Sequence, residues 1–312
     1  MIKKLIIIIH NELRLIYGQL LSLKKFKDFV NVHLFLINIY FKRIINFKNY
    51  KKNLIFNNDI KFKKKSNILF IFGCGSSLNK LSKKEITKLN NYDTIGFNLS
   101  FLFNKIYFTF HINRSGTTRK SAFFSVKKFC KYFNKKIKKN KFLKKTIFLF
   151  PIGYVNGFTN TLFGYNLFSN SHKFFLFITN RINKLPSKSF DTGLAHSWGS
   201  LADAINFGYI MNYKKIVLVG IDLYDNRYFF CPKNKTKFWD EKNGKFVCKT
   251  YTDKGLKYSK SHNTINIGVL SKIQKWNTYL KKNNIQLEVY NKKSLLKKHL
   301  KIFNWNSLRK GV

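Results

Sequence analysis

Asn67-Ile68-Leu69-Phe70-Ile71-Phe72-Gly73-Cys74-Gly75-Ser76-Ser77-Leu78 is the stretch that decides the fold. A short, unbroken apolar run is the mark of a strand buried on both faces, and such strands belong to parallel sheets covered by helices on each side. The run ends in a glycine-rich turn, and Ser77 to Leu89 reads as a helix. Ile216-Val217-Leu218-Val219 repeats the pattern, with Gly220-Ile221-Asp222 at its C-terminal edge.

Working outward from these two runs, Thr94 to Phe97, Ile106 to Ile112, Thr146 to Phe150 and Ile285 to Tyr290 read as further strands. Helices are predicted over 121–142, 171–183, 200–211, 267–280 and 295–300. The Gly-, Asn- and Thr-rich segment Gly153 to Asn170 reads as a loop or lid. Strands alternating with helices predict an α/β domain: a Rossmann-like, doubly wound, mostly parallel sheet. No internal repeat is visible. Ligands of such sheets bind at the carboxyl ends of the strands. That rule singles out Gly73 to Ser77, Asn98 with Asn113, and Gly220 to Tyr228.

The 312 residues hold 60 Lys and Arg against 13 Asp and Glu, a formal net charge of +47. Hydrophobic residues make up 45% and aromatics 17%, which excludes a disordered basic tail and supplies a core. The charge draws the chain toward anionic partners: a membrane surface, a nucleic acid or a phosphorylated substrate. Nucleic acid is disfavoured, because no zinc-finger spacing, RNP motif or helix-turn-helix signature is present. Cys74, Cys130, Cys231 and Cys248 are too few and too scattered for a disulfide framework, which points to a reducing, cytoplasmic setting.

Residues 1–65 differ from the rest and read as a basic, amphipathic helical extension before a domain at 66–312. Met1 to Ile9 opens like a signal peptide, but no small-residue cleavage site follows. The run Phe29 to Phe41 is too short to span a bilayer. Two readings stay open: helices packed on the main domain, or a basic, aromatic-rich surface resting on anionic lipid.

Three motifs carry the chemistry. Gly73-Cys74-Gly75-Ser76-Ser77 can bring backbone close to a ligand and present helix-start amides to a phosphate. Leu78 stands where the third glycine of a dinucleotide fingerprint would be, and the Walker Lys and Ser/Thr are missing. Gly220-Ile221-Asp222-Leu223-Tyr224-Asp225-Asn226-Arg227-Tyr228 puts two tyrosines, two carboxylates and an arginine after a buried strand. It lacks the DxD pair of metal-dependent glycosyltransferases, so no metal is implied. Ser261-His262-Asn263-Thr264 offers a loop histidine that can act as general base. His111 and His196 remain open; His10, His33, His172 and His299 read as structural or solvent-facing.

The order of these motifs, from Asn67 to Leu300, resembles the bacterial sialyltransferases of glycosyltransferase family 42. The closing Val289-Tyr290-Asn291-Lys292-Lys293-Ser294-Leu295-Leu296 extends the resemblance. It implies a single GT-A-like domain and a metal-independent transferase with no cofactor beyond a CMP-activated sugar donor. Gly73, Cys74, Gly75 and Ser77 would lie by the nucleotide, with Asn98, Asn113, Ser200 and Asp222 beside it. Tyr224 and Tyr228 would bind the departing phosphate, and His262 would take the acceptor's proton. The implied acceptor is an oligosaccharide or lipid-linked glycan of lipooligosaccharide or capsule. The implied place is the cytoplasmic side of the inner membrane, peripherally bound. The chain is also similar to a broader group of bacterial surface-polysaccharide proteins, related glycosyltransferases among them, and to 6-hydroxymethylpterin diphosphokinase-like proteins, which share the glycine-rich start and the Gly-Ile-Asp element. A phosphotransferase with Asp222 and Asp225 as metal ligands, and a non-catalytic lipid- or nucleic-acid-binding protein, therefore stand as alternatives.

Overall fold

A computed structural model describes residues 9–10, 12–14, 16–17, 26–114, 120–182, 184–250 and 262–308. Its centre is a parallel sheet. The strands are β1 (Leu54–Ile55), β2 (Ile68–Phe72), β3 (Asp93–Phe97), β4 (Phe110–Ile112), β5 (Ile147–Ile152), β6 (Phe174–Asn180), β7 (Leu194–Ala195), β8 (Lys215–Val219), β11 (Gln286–Val289) and β12 (Lys301–Ile302). β9 (Lys235–Asp240) and β10 (Lys245–Thr250) form a separate antiparallel hairpin. The sheet order is β1-β6-β5-β4-β3-β2-β8-β11-β12, with β7 paired to β6. The chain builds outward from β2 to β6 on one side, then crosses back to put β8 on the other side of β2. The reversal between β2 and β8 is the switch point at which doubly wound sheets open a crevice.

Strand β2 shows why the sheet is buried twice. Leu69 and Ile71 enter the core on one face, Phe70 and Phe72 the core on the other, and all four are fully buried. Each such side chain contributes about 1.5–3 kcal/mol on burial. The helices used below are α1 (Phe26–Asn46), α2 (Asn57–Lys61), α3 (Lys83–Leu89), α4 (Lys120–Lys139), α5 (Gly157–Gly164), α6 (Ser200–Ile210) and α7 (Val269–Lys282). Helices α6 and α7 cover the first face, and α4 and α5 the second. Ahead of the sheet's main body, α1 packs on α5. Gly164 permits this, because a Cβ there would lie 2.9 Å from the Ile39 carbonyl oxygen.

Several sequence expectations need correction. The helix expected over 171–183 is not found at its described residues, 171–182: Phe174 to Asn180 is strand β6, between β1 and β5. Its aromatic and β-branched run suits a buried strand. Gly153 to Asn170 is not all loop, since it holds α5. The helix expected over Ser77 to Leu89 is split into a 3-10 turn (Ser76–Lys80) and α3, where Ser82 caps α3 in a capping box with Glu85. The element expected at 295–300 is a 3-10 turn, Leu295–Lys298. Pro151 does not stop β5; it lies beyond the β4 pairing, so its missing N–H leaves no gap on that side. Cys231 and Cys248 form a disulfide, so the cysteines give no support to a reducing setting. The signal-like Met1 to Ile8 lies outside the described residues.

Candidate functional site

The loops that leave the C-terminal ends of β2 to β6 and β8 converge on one cavity of about 1200 Å³. Its floor is the switch point. Gly73 and Gly75 donate their backbone N–H groups to the Val219 and Gly220 carbonyls, at 2.9 Å each, so the two strand-end turns run side by side. This close approach is why both positions are glycine. A Cβ would sit 2.6 Å from the Gly220 carbonyl oxygen at Gly73 and 2.7 Å at Gly75.

Asp222, 4% exposed, clamps the turns. Its Oδ2 accepts from the Ser77 N–H at 2.9 Å, and its Oδ1 from the Ser77 hydroxyl and, at 2.7 Å, from the Asn291 amide. The helix-start amide at Ser77 is thus already bonded to Asp222. Asp225 accepts from the Arg227 N–H at 3.0 Å and the Arg227 Nε at 2.6 Å.

Asn98 and Ser200 meet across the cavity wall, where the Ser200 hydroxyl donates to Asn98 Oδ1 at 2.9 Å. Asn98 holds a left-handed backbone, φ +54°, which turns the chain sharply off β3. Ser200 opens α6, so the positive end of that helix faces the cavity. Asn113, 1% exposed, follows β4, and its Nδ2 has no partner among the described residues. A buried amide N–H₂ without a partner is costly, and a bound polar ligand would relieve it.

His262 is held by its N–H to the Leu223 carbonyl at 3.0 Å, and its Nδ1 lies 2.9 Å from the Thr264 hydroxyl. Burial, then the charge of Lys237, lowers its pKa, against the pull of Asp225. Tyr228 lines the cavity, with Lys237 Nζ 4.4 Å from its ring centre.

Of the sequence-derived site residues, Gly73, Cys74, Gly75, Asn98, Asn113, Ser200, Asp222, Tyr228 and His262 line this cavity. Ser77 and Tyr224 stand behind it. Tyr224 bonds to Asn291 and Ser76, and burial followed by the nearby Asp222 raises its pKa. The Cys74 thiol is pushed up to about 11 by burial, which keeps it a neutral wall group. Residues 251–261, including Lys260 and Ser261, lie outside the described residues.

Sequence reasoning missed a second cluster. Arg114 Nε and His196 Nδ1 each lie 2.9 Å from Oδ2 of the fully buried Asp203, and Arg114 also donates to Thr179. Arg181 stands close enough to Arg114 that their charges disfavour each other. Two arginines and a histidine thus gather at one end of the cavity, from the ends of β4, β6 and β7. The Asn113-Arg114 pair after a strand was the signal available for it. His111, by contrast, is fully buried among rings, bonds to Ser100, and is lowered to about 3 by burial. It is a core residue.

The hairpin β9–β10, absent from the sequence reading, roofs the cavity with Lys237, Phe238, Trp239 and Phe246. Trp239 and Phe246 pack edge-on against Phe129 and Tyr132 of α4. The Cys231–Cys248 disulfide ties the hairpin to the segment at Tyr228, which bridges to Gly75. Among the described residues no group of three or more His, Cys, Asp or Glu is placed to hold a metal ion.

No family model and no curated protein matches the chain. Among solved structures, the MAf glycosyltransferase from Magnetospirillum magneticum AMB-1 is similar at 13% identity and a TM-score of 0.37, over 79% of this chain. The chain spans 36% of that protein's length.

Proposed function

We propose that the chain is a glycosyltransferase, sialyltransferase-like, that moves a sugar from a CMP-activated donor to a surface-glycan acceptor without a metal. One observation carries the reading: residues from six separated stretches, singled out by their order in the sequence, line a single cavity at the switch point of the sheet. Its volume of about 1200 Å³ suits a nucleotide-sugar.

In this reading Asn98, Asn113 and Ser200 hold the nucleoside and sugar, and the open end of α6 adds a favourable dipole. The acceptor oxygen attacks the anomeric carbon, the bond to the CMP phosphate oxygen breaks, and the acceptor proton passes to His262. In the same reading Tyr228 and Lys237, both in the cavity lining, receive the charge that grows on the leaving phosphate. Tyr224 positions the turn through Asn291 and Ser76.

Asp222 and Asp225 weigh against the phosphotransferase alternative. Their oxygens are engaged by Ser77, Asn291 and Arg227, which leaves no carboxylate pair for magnesium.

The test is a thermal-shift panel of CMP, CDP, UDP, GDP and ATP, each with and without magnesium. A ligand that binds only the folded state raises Tm. Stabilisation by CMP without magnesium is the expected result. Stabilisation by ATP only with magnesium would replace this reading with the phosphotransferase.

A further inference from the structure

Helix α1 is apolar on both sides. Val32, Leu36 and Ile39 are buried against Tyr154 and Tyr165. Two hydrogen bonds lock that face down: Arg43 Nη1 donates to Asn160 Oδ1 at 3.0 Å, and Asn46 Nδ2 to the Gly164 carbonyl at 2.8 Å. The opposite face carries Val30, Leu34, Ile37, Phe41, Ile44 and Ile45, spaced three and four apart, so they form one stripe. They stand in solvent: Leu34 is 60% exposed, Phe41 59% and Ile45 66%. At 1.5 Å per residue the stripe runs roughly 22 Å. A helix that packed only on its own domain would place polar residues there.

The segment that follows the stripe in the chain is strongly basic. Residues 41–65 hold nine Lys and Arg against a single acid, Asp59. Lys48, Lys51, Lys52 and Lys61 are exposed. Two copies of the chain joined through this face would bring these cations together, within molecules of net charge +47. An anionic bilayer supplies both partners at once, acyl chains for the stripe and headgroup phosphates for the lysines. No described helix is long and apolar enough to cross a membrane, so α1 meeting a bilayer would lie along its surface.

We infer that the outer face of α1, from Val30 to Ile45, docks the protein on the surface of an anionic lipid bilayer. The docked helix touches the cavity wall. His33 Nδ1 and the Tyr154 hydroxyl are 2.6 Å apart, and Val155, Asn156 and Phe158 next to Tyr154 line the cavity. Docking therefore sets the cavity beside the headgroups, where a lipid-linked acceptor would present its sugar. The docking itself does not depend on the transferase reading.

The experiment is co-sedimentation of the full chain with vesicles of phosphatidylcholine alone and of phosphatidylcholine with phosphatidylglycerol. Binding to the anionic vesicles is expected, and Leu34→Glu with Phe41→Glu should weaken it at least tenfold, because two large apolar side chains no longer enter the acyl region. Lys51→Glu with Lys52→Glu should weaken it on anionic vesicles as well; this second variant touches no packed residue, so it holds if the first fails to fold. Unchanged Tm in both variants shows that the fold survives. Wild-type protein that ignores anionic vesicles overturns the inference. So does loss of binding in the lysine variant alone, which would describe a general polyanion contact. A concentration-dependent dimer broken by Leu34→Glu with Phe41→Glu would assign the stripe to self-association instead. A CMP response in the thermal-shift panel, present or absent, reports on the transferase reading alone.

Discussion

The Ser200 hydroxyl donates to Asn98 Oδ1 at 2.9 Å, across 102 residues of sequence. This bond joins the start of α6 to the turn after β3 and fixes the amide of Asn98 at the cavity wall. Ser200→Ala removes one neutral hydrogen bond, about 1 kcal/mol, and should weaken CMP binding about fivefold by calorimetry. Tm without ligand should barely move. A large drop in Tm with unchanged affinity would make the bond structural only.

His262→Ala should cut sugar transfer by about 10²–10⁴-fold while nucleotide affinity stays intact. The base must be neutral to accept a proton. Because burial lowers its pKa from the ordinary 6.5, activity should rise with pH through a midpoint below 6.5 and stay flat above it. A pH–rate profile of kcat/KM checks this, and an acid limb centred above 6.5 would remove His262 from the role.

Asp222→Ala would leave the Ser77 N–H, the Ser77 hydroxyl and the Asn291 amide without their acceptor. Stranding them should cost about 3 kcal/mol of stability. Chemical denaturation of the unliganded protein reads the loss directly. Unchanged stability would mean that Asp222 acts on the ligand rather than on the turns.

Acid should unfold the protein from the histidines inward. His111 is lowered from 6.5 to about 3 and His172 to about 4, both chiefly by burial. The unfolded chain then binds more protons below pH 6.5, so stability is complete above 6.5 and falls as pH drops toward 4. Each group contributes a slope of about 1.4 kcal/mol per pH unit in that window. Urea midpoints at pH 7, 6, 5 and 4 test it, and His111→Gln should flatten the slope.

Reducing the Cys231–Cys248 bond opens a loop of 17 residues. The loss in the chain-entropy view is about 3 kcal/mol. The hairpin roofs the cavity, so dithiothreitol or Cys248→Ser should also raise the donor KM. A Tm and KM indifferent to reductant would mean that the hairpin is held by Trp239 and Phe246 alone.

Legibility followed the local signals. Ile68 to Phe72 and Ile216 to Val219 could be read as buried strands because an apolar run with no polar face has nowhere to go but a doubly covered sheet. Phe174 to Asn180 carries the same kind of run, yet sits between Ser171 and Asn183 in a stretch long enough for a helix, and only pairing with β1 and β5 decides it. The candidate site divides in the same way. Gly73, Gly75, Asn98, Asn113 and His262 were marked by their place after strands or in a polar loop. Arg114, Arg181, His196 and Asp203 carry no local spacing, because they come from the ends of three strands and one helix.

The sequence by itself determined the parallel α/β sheet, the two glycine turns at its centre, and a strongly basic surface. These follow from composition and from runs of neighbouring residues. Only the tertiary structure decided that Asp222 clamps Ser77, that Cys231 meets Cys248, that Arg114 and His196 share Asp203, and that, among the described residues, nothing covers the outer side of α1. Each is a contact, or the lack of one, between segments far apart in the chain. Such pairings are set by strand order and helix docking, and no local pattern of residues encodes them.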